Sequence, residues 1–460
     1  VSHPDIGGQF AKRVLVQTLH YAASLVPEIS DDIRSIDEAM RLGFAWKYGP
    51  FELIDTLSTP QQSGRAWLRD ACREMGLSVP ALLEGTEGAF YQITPLGRTM
   101  RTSLGSYDPI PTHPHKWTLA DKTRGTKPIL SNAGGNVWDL GDGVACLELT
   151  TKMNTIDDTA QEIMERALER SVKDFRALVI GSDAEKFSLG ANLGFVMFLA
   201  NMASWDLIAG VIRRGHKINM ALKYAPIPVV AAVGGMALGG GCELMLHCDA
   251  VQAHMETYPG LVEIGVGLVP GWGGCKELLW RHMHAAEDAA AAIAQGKSPE
   301  MIMPAGVMPA LSKTYEYIVT AKVAASAEEA RDMLLLNKAS RISMNRTRLL
   351  PDAKALALSL AEDYAPPQPR TFHVAGESGK LALLMGLESF ALTGKASPHD
   401  VVVGTHLAEV LSGGAVDLRD EVSEQDLLDL ELEHFMRLMR TEATRARIQY
   451  MLDYNKPLKN

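Results

Sequence analysis

Ile227-Pro228-Val229-Val230-Ala231-Ala232-Val233 leads through Gly234 to Leu238 into Gly239-Gly240-Gly241-Cys242-Glu243-Leu244. The β-branched run reads as a buried strand, and the apolar residues beyond the glycines read as a helix. A triple glycine at such a junction lets another molecule approach the backbone closely. The first N–H groups of the helix have no intrahelical partner, and its dipole makes that end positive. Negative charge developing on an oxygen would be stabilised there. The plain alternative is a permissive tight turn without function, and the three glycines alone do not exclude it.

Two glutamates give this region its chemistry. Glu243 ends the stretch, and Glu263 follows in Val262-Glu263-Ile264-Gly265, ahead of Pro270-Gly271-Trp272-Gly273-Gly274. Carboxylates in apolar, glycine-rich sequence are expected to be buried, which raises the cost of their charge. Two converging on one cavity would divide a proton-transfer task. Taken singly, Glu263 also reads as a surface residue on a turn, and Glu243 as a structural partner within its helix. A second glycine turn, Phe187-Ser188-Leu189-Gly190-Ala191-Asn192-Leu193, follows an expected strand at 177–180. The Ala191 N–H there is a candidate second donor, or the turn is an ordinary loop. Phe195 to Ala209, with Met197, Phe198, Leu199, Met202 and Trp205, reads as a core or oligomer-contact helix. Its sharper reading is a mobile wall of a pocket for a flexible apolar ligand.

Strand–helix alternation extends outward from this centre and predicts an α/β domain over 137–365, with strands at 144–149 and 177–180 and a helix at 157–169. Residues 1–101 read as a smaller all-α domain. Phe10, Val14, Tyr21 and Leu25 mark one packed helix face, Ser35-Ile36-Asp37-Glu38 has the form of a capping box, and 62–75 is a further helix. Pro109, Pro111, Pro114 and Pro128 make 102–136 a linker. The segment 366–426 reads as a helical insertion, and 427–454 as one amphipathic helix within closing helices at 427–460.

The chain has 460 residues, a formal net charge of −10 and five cysteines without a C-x-x-C pair. Its length implies more than one domain. Its charge argues against nucleic-acid or anionic-membrane binding. The cysteine usage predicts reduced thiols in a cytoplasmic setting and no metal site. The longest apolar run, Val229 to Cys242, falls short of the ~20 residues a spanning helix needs. The start, Val1-Ser2-His3-Pro4-Asp5, lacks an initiating Met and an apolar core, so the expectation is a processed product or a piece of something longer. No phosphate-binding loop, G-x-G-x-x-G or nucleophile elbow is present.

The run Ala231 to Leu244 closely resembles the crotonase family, especially enoyl-CoA hydratases. The likeness takes in Lys152-Met153-Asn154, Gly190-Ala191, Cys248-Asp249, Glu263, Pro270 to Gly274 and Phe435 to Pro457. The resemblance implies a spiral of β-β-α turns, with Glu243 and Glu263 as the catalytic carboxylates. It makes Ala191 and Gly240 the oxyanion-hole donors, and Gly190, Asn192, Leu193, Gly239, Gly241, Pro270, Gly271 and Trp272 substrate-binding positions. Asn192 and Phe195 stand where the family usually has Asp and Lys. It further implies coenzyme A as part of the substrate, no tightly bound cofactor and a homo-oligomer. Ile36 to Gly43 and Tyr48 to Leu53 resemble the C-terminal helical domain of 3-hydroxyacyl-CoA dehydrogenases, whose NAD-binding domain has no counterpart here. The combination resembles the C-terminal part of a bifunctional β-oxidation protein. The implied activity is hydration of a trans-2-enoyl-CoA; Δ3-Δ2-enoyl-CoA isomerisation and a non-catalytic acyl-CoA-binding or assembly module are the alternatives.

Overall fold

A computed structural model describes residues 3–460 except 86–87, 95–96, 112, 296–305 and 418. Two compact units divide the chain, residues 1–113 and 114–460. The expected linker is thus shared between them rather than lying outside both. Among the described residues, no helix is long and apolar enough to cross a membrane.

In the first unit, helices Ile6–Ser24, Ile33–Phe44, Pro50–Thr56 and Gly64–Glu74 surround a core of Val16, Leu19, Ile33, Phe51, Ile54, Leu68 and Phe90. The first helix forms, but its buried face is Val16, Leu19, Ala22 and Ala23, and Phe10 (71% exposed), Val14 and Tyr21 of the expected stripe face outward. Small alanines let the helix pack closely yet weigh little in a hydrophobic pattern, so the large residues point to the wrong side. Ser35 to Glu38 is not the capping box. Asp32 caps the second helix, accepting from the Ser35 N–H at 2.8 Å. Asp37 instead reaches the third helix, accepting from Phe51 N–H (2.8 Å), Glu52 N–H (3.2 Å) and the Tyr91 hydroxyl (2.7 Å). A Cβ on Gly49 would stand 2.3 Å from the Asp37 Cβ, which is why a glycine precedes Pro50. Helices end at Leu83; beyond them β1 (Tyr91–Thr94), β2 (Gly97–Arg101) and β3 (Tyr107–Pro109) form an antiparallel sheet. These strands are short and mostly half-exposed, so they carry no apolar alternation for a sequence reading to detect.

The second unit is built on a seven-stranded sheet: β4 (Leu130–Asn132), β5 (Gly135–Asp139), β6 (Val144–Leu149), β7 (Ala177–Ile180), β8 (Val229–Leu238), β9 (Ala250–Gly260) and β10 (Arg341–Ser343), in spatial order β10-β9-β8-β7-β6-β5-β4. From β6 to β10 the pairing is parallel. Parallel strands are covered on both faces, and β7 is accordingly buried at all four positions. β8 runs five residues beyond the expected Val233, because Gly234-Gly235 forms a register shift against β9 rather than an end.

Segment 366–426 contains helices Gly376–Leu392 and Pro398–Ser412 and the antiparallel pair β11 (Thr371–His373) and β12 (Glu421–Ser423). The expected single closing helix is two, Glu424–Met439 and Glu442–Tyr454. Thr441 separates them by accepting from the Thr444 N–H, an N-cap bond at 3.2 Å.

Candidate active site

β8 delivers its chain to Gly239, and the helix Gly240–Leu246 starts immediately after it. Gly239 has φ +53°, a left-handed conformation that costs glycine little. The turn before Leu193 lies directly against this helix start. A Cβ on Gly190 (φ +79°) would fall 2.7 Å from Gly240 N and 2.8 Å from Leu238 O. Asn154 braces that turn: its Nδ2 donates to the Lys186 and Phe187 carbonyls, and its own carbonyl accepts from the Ser188 hydroxyl at 2.7 Å. The Ser188 hydroxyl oxygen accepts in turn from the Gly190 N–H at 3.1 Å. Among the described residues, neither the Ala191 nor the Gly240 N–H has a hydrogen-bond acceptor. Two unpaired donors therefore sit on adjoining turns.

Glu243 is buried on the first turn of its helix. Its Oε1 accepts from both Trp272 N–H (2.7 Å) and Gly274 N–H (2.9 Å). Burial first, then the charges of Glu263 and Glu431, push its carboxyl well above the ordinary range. Glu263 opens the short turn Glu263–Val266. Its Oε1 comes within 3.1 Å of where a Cβ on Gly239 would stand. Among the described residues, neither of its buried carboxyl oxygens has a hydrogen-bond partner, although the nearby N–H groups of Val262 and Glu263 itself act to lower its carboxyl. Burial is the main cause that pushes this carboxyl up to about 8. Unpaired buried carboxyl oxygens are costly in a finished core, so they mark where a missing partner belongs.

The remaining expected positions divide between turn and packing. Asn192 caps the helix Leu193–Asn201, accepting from the Phe195 N–H at 3.1 Å. Gly241 backs onto Ser188, and Gly271 onto Phe435 and Ile212. The Trp272 ring fills the space beside Gly240 and Gly215, while Pro270 is buried. Phe195 to Ala209 forms two helices, Leu193–Asn201 and the start of Trp205–Lys223, with Phe195, Phe198 and Met202 exposed.

Two sets of residues around the site escaped the sequence reading. Glu431, on the helix Glu424–Met439, accepts from Gly273 N–H at 2.6 Å and Cys275 N–H at 3.3 Å. The signal for it was an acid spaced to fall on the buried face with Leu427, Leu428 and Phe435. The Glu263 turn is held from segment 366–426 and the last helix. Arg447 donates to Asp400 (2.8 Å) and to the Ile264 carbonyl (3.3 Å), and Thr444 to the Gly267 carbonyl (2.8 Å).

Residues 140–332 match the family described as enoyl-CoA hydratase/isomerase, and residues 8–63 match the 3-hydroxyacyl-CoA dehydrogenase, C-terminal domain. The second unit therefore contains an enoyl-CoA hydratase/isomerase family region, and the first a region of the 3-hydroxyacyl-CoA dehydrogenase C-terminal family. It is 37% identical over 461 residues to a Bacillus subtilis protein named "Probable 3-hydroxyacyl-CoA dehydrogenase", covering 99% of this chain and 55% of that one. It is 26% identical over 318 residues to the fatty acid oxidation complex subunit alpha of Idiomarina loihiensis, covering 67% of this chain and 39% of that one. The chain thus spans about half the length, or less, of these curated relatives. Among solved structures, the enoyl-CoA hydratase of Bacillus halodurans shares 16% identity over 69% of this chain and 99% of that one, with a TM-score of 0.44.

Proposed function

We propose that the second unit adds water across a trans-2-enoyl-CoA to give the 3-hydroxyacyl-CoA, as a lyase. One observation carries this reading: a carboxylate anchored through one oxygen adjoins a second carboxyl that, among the described residues, has no hydrogen-bond partner, beside two N–H groups likewise without an acceptor. The thioester oxygen accepts from Ala191 and Gly240, so charge moving onto it is stabilised as it forms. Water held by Glu243 Oε2 attacks C3 and gives its proton to Glu243. The C2=C3 pair shifts to C2 as the enolate forms, and Glu263 supplies the proton that C2 takes up.

The two carboxyls titrate as a pair. Burial is common to both, and N–H donors favour the charged form, so the Trp272 and Gly274 bonds support placing the charge on Glu243 and the proton on Glu263. A 3-enoyl to 2-enoyl isomerisation needs only one carboxylate, and the presence of two favours hydration. Assay of 2-enoyl- and 3-enoyl-CoA side by side tests this: hydration of the first is expected, and turnover of the second alone would overturn the reading. Coenzyme A enters as part of the substrate, and the protein acts as a homo-oligomer. NAD chemistry would be the task of a dinucleotide-binding domain, for which these 460 residues carry no fingerprint.

Gly190→Ala tests the paired turns. The added methyl meets main-chain atoms of Leu238 and Gly240, which cannot swing aside, and a left-handed φ is strained for alanine. A drop of about 10²-fold in kcat is expected, comparable to losing one oxyanion donor. Steady-state kinetics on crotonyl-CoA measures it; wild-type kcat would show that the two turns need not adjoin.

A further inference from the structure

The turn from Trp272 to Cys275 presents four consecutive N–H groups, and two glutamates take them alternately. Glu243 Oε1 accepts from Trp272 and Gly274; Glu431 accepts from Gly273 on Oε1 and from Cys275 on Oε2. Gly273 and Gly274 lie at the start of the helix Gly274–Ala294, whose free N–H groups and dipole favour acceptors of negative charge. Alternation matters because each N–H points to one side of the turn. With Glu431 bridging the second and fourth from one side, the first and third converge on a single oxygen of Glu243. Among the described residues, no donor reaches Glu243 Oε2.

Glu431 is itself fixed. Its Oε1 lies 3.3 Å from His216 Nε2 of the helix Trp205–Lys223. Two turns earlier on the same face, Glu424 Oε1 accepts from Lys276 at 3.2 Å, clamping the same helix start a second time. We propose that Glu431 is a positioning residue for hydration: it sets the Trp272–Cys275 turn so that Glu243 is held through Oε1 and keeps Oε2 for the reacting water. This inference rests on the proposed hydratase reading.

The titratable groups facing Glu431 are His216 from the helix Trp205–Lys223, Cys275 from the helix Gly274–Ala294, and Glu243 and Glu263 of the site. The helix Pro398–Ser412 meets this helix at a different place, with His406 and His434 Nδ1 atoms 2.6 Å apart. Glu431's charge is one of the causes that raise both site carboxyls, so neutralising it lowers both.

The test is kcat, KM and pH profile of Glu431→Gln and Glu431→Asp in the full chain with crotonyl-CoA, beside wild type. A glutamine keeps one acceptor and turns its NH2 toward the other N–H, so one bond of the bridge is lost. In Glu431→Gln, kcat is expected to fall about 10- to 100-fold, the scale of a sub-ångström to ångström misplacement, with KM nearly unchanged. Both limbs of its pH–rate profile are expected to move to lower pH. Glu431→Asp keeps the charge but is too short to bridge both N–H groups, so its kcat falls while the limbs stay. A purely structural role would change melting temperature and active fraction without moving the limbs. Wild-type kcat and limbs in folded Glu431→Gln would overturn the inference, as would wild-type kcat in Glu431→Asp should the glutamine variant not fold. Failure of wild type itself to hydrate would instead remove the hydratase reading.

Discussion

Glu243→Gln and Glu263→Gln are each expected to lower kcat for enoyl-CoA hydration by about 10²–10⁴-fold, the usual contribution of a proton-transfer group. Glutamine preserves shape, and in Glu243→Gln its carbonyl oxygen can still accept from Trp272 and Gly274, so the turn is kept and only proton transfer is lost. Stability should change in the opposite direction. For Glu263, the folded value of about 8 lies above the ordinary value of 4.5. A carboxyl raised in this way contributes fully below its unfolded value and loses that contribution as pH rises through the folded value. Glu263→Gln should therefore melt higher than wild type above about pH 8, and the two should converge toward acid pH. Kinetics on crotonyl-CoA and melts at several pH values read both effects. Near-normal turnover in either variant would remove the proton-transfer assignment, and a melting deficit of Glu263→Gln above pH 8 would remove the electrostatic one.

The largest loss of stability is expected elsewhere, in Glu277→Gln. Glu277 is buried in the second unit, with Oε1 accepting from Lys223 (2.6 Å) and Lys276 (2.5 Å) and Oε2 from Arg370 (3.0 Å). Burial would push its carboxyl up, yet Lys276, Lys223, His247 and Arg370 hold it well below the ordinary range. Removing its charge leaves Lys223 and Lys276 with Glu424 as their remaining carboxylate among the described residues, a loss of about 3–5 kcal/mol in line with broken buried pairs. A depressed carboxyl contributes its stability above the unfolded value, near 4.5, and loses it as pH falls toward the folded value. Wild type should consequently weaken through acid pH more steeply than Glu277→Gln. Chemical denaturation at neutral and acid pH measures both, and a difference under about 1 kcal/mol at neutral pH would show that the cluster is relaxed by water.

What could be read without coordinates was local. The β-branched run before Gly239, the glycine turn before Leu193 and the setting of Glu243 and Glu263 each lie within a few residues of the feature they define. Strands at 144–149 and 177–180 were legible because buried strands are short and mostly apolar, with Glu148 the single charged residue in the two. Where small or polar residues do the packing, legibility fails. The first helix buries Val16, Leu19 and two alanines rather than Phe10 and Tyr21, and β1 to β3 carry no apolar alternation. Thr441, one polar residue in an amphipathic pattern, divides the closing helix by capping its second half.

Strands, turns and helices around the two acidic residues were legible along the chain, since backbone conformation and side-chain periodicity are properties of sequence neighbours. Packing alone settled which oxygen of Glu243 is bound, that Glu263 has no hydrogen-bond partner among the described residues, and that Glu431, 158 residues beyond Gly273, shares the same turn. Those outcomes depend on which N–H groups of a turn face which helix, and chain segments far apart in sequence acquire that relation only when they pack.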